Sequence, residues 1–139
     1  YTNYESQKGK ELLENPQAAL LFFWYGLERQ VRIEGKVEKV SEAVSDAYFR
    51  KRAIGSQIGA IASPQSRVIS SRKVLDDNVK ILQDLHQGKT TIERPKHWGG
   101  FLLIPDKFEF WQGSSNRLHD RITFSSTEEK KWQIDRLAP

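Results

Sequence analysis

From Gly100 to the C-terminus, four strand-like segments follow one another with almost nothing between them: Gly100–Ile104, Lys107–Gln112, Arg117–Ser125 and Lys131–Leu137. The breaks carry turn residues, Pro105-Asp106, Gly113-Ser114 and Ser125-Ser126. Connections this short make hairpins and leave no room for the helical crossover that parallel neighbours need. A fifth segment, Arg29 to Val40, alternates by side: Val31, Ile33 and Val37 fall on one face, Arg32, Glu34, Lys36 and Glu38 on the other. That is the period of a half-buried antiparallel strand. Gln17 to Tyr25, apolar throughout its centre, reads as a buried strand.

Helices fill the remainder. Ser6 is placed to cap a helix running to Glu14, stopped by Asn15-Pro16. Ser41 opens one to about Arg52, and a short one covers Ser56–Ala62 before Ser63-Pro64. Ser70 or Ser71 starts a longer amphipathic helix with Val74, Leu75, Val79, Leu82 and Leu85 inward, ending at Gly88. Two strands, a helical excursion and four strands imply an α+β protein, mainly β, built as a barrel or half-barrel, not a doubly wound sheet. With 139 residues and no internal repeat or linker, the chain reads as one domain, 1–139.

Composition narrows the functional classes. The longest apolar run, Ala18 to Tyr25, is too short to span a membrane, and no basic n-region precedes an apolar stretch. The absence of cysteine excludes disulfides, thiolate metal sites and cysteine nucleophiles, and fits a cytoplasmic protein. The net charge of +4 is scattered among acidic residues, which favours a small anionic ligand over nucleic acid. His86, His97 and His119 lack metal-ligand spacing, and no G-x-G-x-x-G, Walker loop or H-E-x-x-H occurs. Without paired carboxylates a protein-only hydrolase is hard to assemble; an enzyme whose cofactor carries the chemistry is easier. No methionine occurs, even at position 1, so the start is expected to be processed, truncated or left out.

Four features suit an anionic or heteroaromatic ligand. If 117–121 is a strand, Arg117, His119 and Arg121 share one face at a spacing of roughly 7 Å, two guanidiniums flanking an imidazole. The other reading is a solvated, charged strand edge; the aromatic neighbours Phe110, Trp111 and Phe124 favour a site. Tyr48, Arg52 and Ser56 stand at i, i+4 and i+8 and on one continuous helix would form a phosphate clamp, unless Gly55 breaks it; a solvated face is the alternative. Gln65 and Ser66 follow Ser63-Pro64 in a polar turn, and Lys8 sits in the first turn of a helix, positions equally compatible with structural and surface roles.

Collinear blocks along essentially the whole chain resemble one family. They are Arg29-Gln30-Val31-Arg32-Ile33-Glu34-Gly35, Ser56-Gln57-Ile58-Gly59-Ala60, Trp98-Gly99-Gly100, Glu109-Phe110-Trp111-Gln112-Gly113, Arg117-Leu118-His119-Asp120-Arg121 and Arg136-Leu137-Ala138-Pro139. Together they resemble the pyridoxamine 5′-phosphate oxidases. The resemblance implies an FMN-binding split barrel, an antiparallel Greek-key β-barrel with flanking helices, forming a homodimer with FMN between subunits. It implies oxidation of pyridoxamine or pyridoxine 5′-phosphate to pyridoxal 5′-phosphate, with hydride passing from C4′ to flavin N5 and O2 reduced to H2O2. With the amine, water releases ammonia from the resulting imine.

By the same resemblance, Tyr48, Arg52 and Ser56 hold the substrate phosphate, and Arg117 and His119 orient the substrate ring as the catalytic pair. Tyr1, Thr2, Lys8, Gln30, Gln65, Ser66, Trp111 and Arg121 match FMN contacts. Three departures stand out. Gln7 replaces a usual Arg beside the flavin phosphate, and Ala53 replaces a usual Pro after Arg52. Several tens of residues that the family carries ahead of Tyr1, with an Arg and a Lys that touch FMN and substrate phosphate, have no counterpart here. The alternatives are a split-barrel protein that binds FMN or pyridoxal phosphate without turnover, and a split-barrel flavoprotein with another substrate.

Overall fold

The computed structural model describes all residues, Tyr1–Pro139. In chain order the elements are β1 (Thr2–Asn3), α1 (Gln7–Glu14), β2 (Gln17–Trp24), β3 (Arg29–Lys39), α2 (Glu42–Lys51), α3 (Ile54–Ala62), α4 (Arg72–Leu85), β4 (Trp98–Gly99), β5 (Phe101–Gln112), β6 (Asp120–Ser126) and β7 (Trp132–Leu137). They divide into two compact units, one of Tyr1–Asn15 and Lys39–Leu102, the other of Pro16–Glu38 and Leu103–Pro139. No helix is long and apolar enough to cross a membrane.

The first unit holds the helices. Ser6 caps α1 by accepting from the Gly9 N–H at 3.1 Å, and Ser41 caps α2 from Val44 at 3.3 Å, as their positions predict. β1 pairs antiparallel with β4, Thr2 opposite Gly99 and Asn3 opposite Trp98. Phe49, Ile58, Ala62, Ile92 and Trp98 form the apolar core, with Gln57 and Ser45 buried among them. In α4, Leu75, Val79 and Leu82 are half-buried, but Val74 and Leu85 are exposed. The buried stripe is therefore narrower than the pattern predicted.

The second unit is a sheet in the order β2-β3-β5-β6-β7. β2 runs antiparallel to β3 with Leu20 opposite Ile33 and Phe22 opposite Val31. β5 to β6 and β6 to β7 are also antiparallel, Trp111 opposite Arg121 and Arg121 opposite Leu137. Three expectations are corrected here. The chain does not turn at Pro105-Asp106: β5 is one strand through both residues. Proline's fixed φ is compatible with an extended strand, and Gly35 of β3 lets the backbones close on each other there. A Cβ at Gly35 would collide with the Ile104 carbonyl oxygen and lie 2.8 Å from the Pro105 Cα. Second, β6 continues through Ser125-Ser126, and the reversal comes at 127–131. Third, β2 is a strand but is not buried: Leu21 is 61% and Phe23 53% exposed. It is an edge strand, and its own unit has no second layer to cover either face.

Candidate active site

The first unit gathers one group of candidate residues around a cavity of about 380 Å³, lined by Tyr1, Thr2, Arg52, Ser56, Gln65 and Trp98 among others. Tyr48, Arg52 and Ser56 do not share one helix. α2 ends at Lys51, Arg52 turns extended (φ −72°, ψ 146°), Ala53 is the N-cap of α3, and Ser56 lies in that helix's first turn. The break falls three residues before Gly55, the position the sequence singled out. Arg52 and Ser56 both line the cavity, beside the start of a new helix whose first N–H groups favour an anion.

Aromatic stacking fixes the wall. The Tyr1 ring lies 3.7 Å from that of Tyr48, 3° from parallel, and 5.6 Å from that of Trp98. The Arg52 guanidinium sits over Trp98 at 4.7 Å and Phe49 at 5.8 Å. Its Nη1 is buried with no hydrogen-bond partner. A buried charged donor left unpaired is costly in a folded protein, so this atom marks a place built to receive an acceptor. Gln65 is held to β1: its Oε1 accepts from the Asn3 N–H at 3.1 Å and the Thr2 hydroxyl at 3.4 Å. Ser66 next to it is exposed, with φ +67°. Lys8 is exposed in the first turn of α1.

The second unit gathers the others. Gln30 and Trp111 line an apolar cavity of about 440 Å³ with Trp24, Val31, Phe110 and Ile122. The His119 ring lies 4.7 Å from that of Trp111, and its Nδ1 accepts from the Ser114 N–H at 3.2 Å. That bond leaves the neutral imidazole its proton on Nε2, a donor free for a ligand.

Arg117 is the main correction at this site. It is not on a strand, because β6 starts at Asp120. Arg117 ends the tight turn Ser115–Arg117, where Asn116 (φ 56°) and Arg117 (φ 63°) are both left-handed. The alternation that would have aligned Arg117, His119 and Arg121 does not exist. Asparagine adopts this conformation readily; for arginine it costs about 1–2 kcal/mol.

Arg121 is on β6 but turned towards protein. Its Nε and Nη2 donate to Glu109 at 2.9 and 3.1 Å, and its Nη1 to the Ala138 carbonyl at 3.1 Å. Glu109 is 5% exposed and also pairs with Arg32 at 3.3 Å. The hydrogen bonds from Arg121 hold the Glu109 carboxyl below its usual pKa, outweighing burial; the charges of Arg121, Arg32 and Lys107 add to this. Glu109, Trp98 and Gln57 were visible in the sequence only as letters of motifs. Nothing in their spacing signals a buried carboxylate, an arginine platform or a buried amide.

Comparison with known proteins shows the family and the fold. The family model for pyridoxamine 5′-phosphate oxidase matches residues 1–86, and that for the pyridoxine 5′-phosphate oxidase C-terminal dimerisation region matches 98–139. A pyridoxine/pyridoxamine 5′-phosphate oxidase of Gloeothece citriformis is 55% identical over 139 residues, all of this chain and 64% of that protein. The chain thus spans a little under two thirds of the curated relative. The crystal structure of PhzG from Burkholderia lata 383, in complex with tetrahydrophenazine-1-carboxylic acid, superposes with a TM-score of 0.89 at 30% identity, covering 99% of this chain and 66% of that one. A pyridoxamine 5′-phosphate oxidase-related, FMN-binding protein from Nostoc punctiforme gives 0.73 at 14% identity, over 99% and 70% of the chains, and speaks for the fold alone. The fold is the antiparallel, mainly β split barrel with flanking helices. The chain belongs to the pyridoxamine 5′-phosphate oxidase family.

Proposed function

We propose that the protein oxidises pyridoxamine or pyridoxine 5′-phosphate to pyridoxal 5′-phosphate with FMN as cofactor and O2 as acceptor. One observation carries the substrate class: the buried, unpartnered Nη1 of Arg52 in a cavity shared with Ser56. A guanidinium held over an indole and short of one acceptor suits a phosphate oxygen. Ser56 and the α3 N-terminus add neutral donors, and Tyr48 closes the aromatic wall. His119 would donate from Nε2 to the substrate's ring oxygen, with Arg117 beside the ring; together they would hold C4′ at reacting distance.

The residues of the second unit fit a flavin. Flat apolar walls from Trp24, Phe110 and Trp111, with the Gln30 carboxamide at the rim, match a heteroaromatic plane with a polar edge. Trp111 and Gln30 in this unit, and Tyr1, Thr2, Lys8, Gln65 and Ser66 in the first, stand at the positions that the family resemblance assigns to FMN contacts. Arg121 has spent three of its five N–H donors on Glu109 and Ala138, so two remain for FMN. The chemistry FMN supplies when bound is hydride acceptance at N5 and return of both electrons to O2 as H2O2.

We further propose that 1–139 works as one domain and as a homodimer in the cytoplasm. Each compact unit is assembled from two separated stretches of the chain, so neither family region coincides with one unit. The test is direct: flavin-saturated protein given pyridoxamine 5′-phosphate in air should yield pyridoxal 5′-phosphate and H2O2 in equal amounts. Flavin binding without either product would establish a binding protein instead.

A further inference from the structure

We infer that Gln57 is a positioning residue that holds Arg52 in its phosphate-binding geometry, an inference that rests on the phosphate reading of the first unit's cavity. Gln57 lies on α3 and its side chain is fully buried. Its Nε2 donates to the Arg52 carbonyl at 2.8 Å and to that of Arg50 at 3.5 Å. Its Oε1 accepts from the Ile92 N–H at 2.7 Å and the Thr91 hydroxyl at 3.4 Å. The carboxamide thus uses both donors and both lone pairs.

The identity of the first partner matters most. In a helix running unbroken from α2 into α3, the Arg52 carbonyl would accept from the Ser56 N–H. Here the Ser56 N–H goes to Ala53 at 2.8 Å, and the Gln57 amide takes the Arg52 carbonyl in its place. No glycine or proline stands at Arg52 or Ala53 to end α2. The side chain that satisfies the freed carbonyl comes from beyond the break and is anchored to the 91–92 segment. With the break held, Arg52 turns to ψ 146° and its guanidinium lies over Trp98 with Nη1 directed to no protein acceptor. With a continuous helix it would not.

The test is the affinity of flavin-saturated protein for inorganic phosphate, measured by calorimetry, with FMN affinity followed separately. Gln57→Met keeps the volume and removes all four hydrogen bonds. It should weaken phosphate binding about tenfold while leaving FMN affinity near that of the parent. Adding Ala53→Pro, which disfavours a helical Arg52 by itself, should restore much of the loss. A general loss of packing would not be repaired that way. Should Gln57→Met fail to fold, Gln57→Asn, too short to reach Arg52 and Ile92 together, replaces it with the same expectation. If Arg52→Ala abolishes phosphate binding but the Gln57 variants bind like the parent, the inference is overturned and the cavity's assignment stands. If Arg52→Ala binds phosphate as well as the parent, the cavity's assignment falls, and this inference with it.

Discussion

Arg117 occupies a conformation that its side chain does not want, φ +63° following Asn116 at +56°. A strained residue retained at a candidate site points to a role for its side chain, because glycine would sit there at lower cost. Arg117→Gly should therefore leave stability unchanged or raise it by up to about 1 kcal/mol, while turnover falls by orders of magnitude. Thermal melts and steady-state rates on the same preparation check both halves. Glu109 makes the opposite case, a functional-looking motif letter with a structural job. Its pKa is lowered in the folded state, so it contributes stability fully above the ordinary carboxyl value of 4.5, and that contribution is lost as pH falls through the depressed folded value. Glu109→Gln should be less stable at neutral pH and should show a flatter stability profile below 4.5 than the parent. Chemical denaturation across that range measures the difference. Motif identity and residue type were legible at both positions. What was not legible is the left-handed turn at Asn116 and Arg117, because two non-glycine residues with positive φ leave no periodic trace.

At the scale of elements, local signals are legible in the sequence and long-range ones are not. Ser6 and Ser41 announce their helices because a cap acts within three residues. The break between α2 and α3 depends on Gln57 reaching back to Arg52 and across to Ile92, a contact thirty-five residues away in sequence. Likewise Pro105 has the residue type of a turn, and its place within a strand depends on Gly35, which lies against it from seventy residues earlier in the chain. Alternation marked β3 as a strand, but the burial of β2 could not follow from its composition; exposure depends on what lies over the sheet. The α2–α3 break gives its own prediction. Ala53 has φ −54° and ψ 143°, and Arg52 before it is extended, which are the angles proline and its predecessor adopt. As an N-cap its N–H lies outside the helical ladder. Ala53→Pro should stabilise the protein by about 0.4–1 kcal/mol by restricting the unfolded chain. An equilibrium urea titration showing a lower midpoint would contradict it.

For the whole molecule, the balance between buried and exposed apolar surface is the informative quantity. Leu20, Leu21, Phe22, Phe23, Trp24 and Tyr25 are all exposed along β2 and its end, as are Phe110, Trp132 and Ile134. Isolated exposed apolar residues need no explanation; a contiguous strand of them does. Together with the match of residues 98–139 to a dimerisation region, this supports the proposed homodimer. Sedimentation equilibrium should give twice the chain mass of 16.1 kDa, and Phe22→Glu should shift it towards one. A parent that sediments as a monomer at all concentrations would remove the dimer from the account. Fold class was readable from strand spacing, and the family from its motifs. The two ligand-facing groups could be assembled only in three dimensions, because the members of each come from separated stretches of the chain. The central claim is that the protein oxidises a phosphorylated B6 vitamer with a flavin. Its most direct test is anaerobic mixing of flavin-saturated protein with pyridoxamine 5′-phosphate, following the visible flavin absorption. The account predicts bleaching in a single exponential phase, saturable in the vitamer and greatly slowed in Arg52→Ala. An unbleached flavin at saturating vitamer would contradict it.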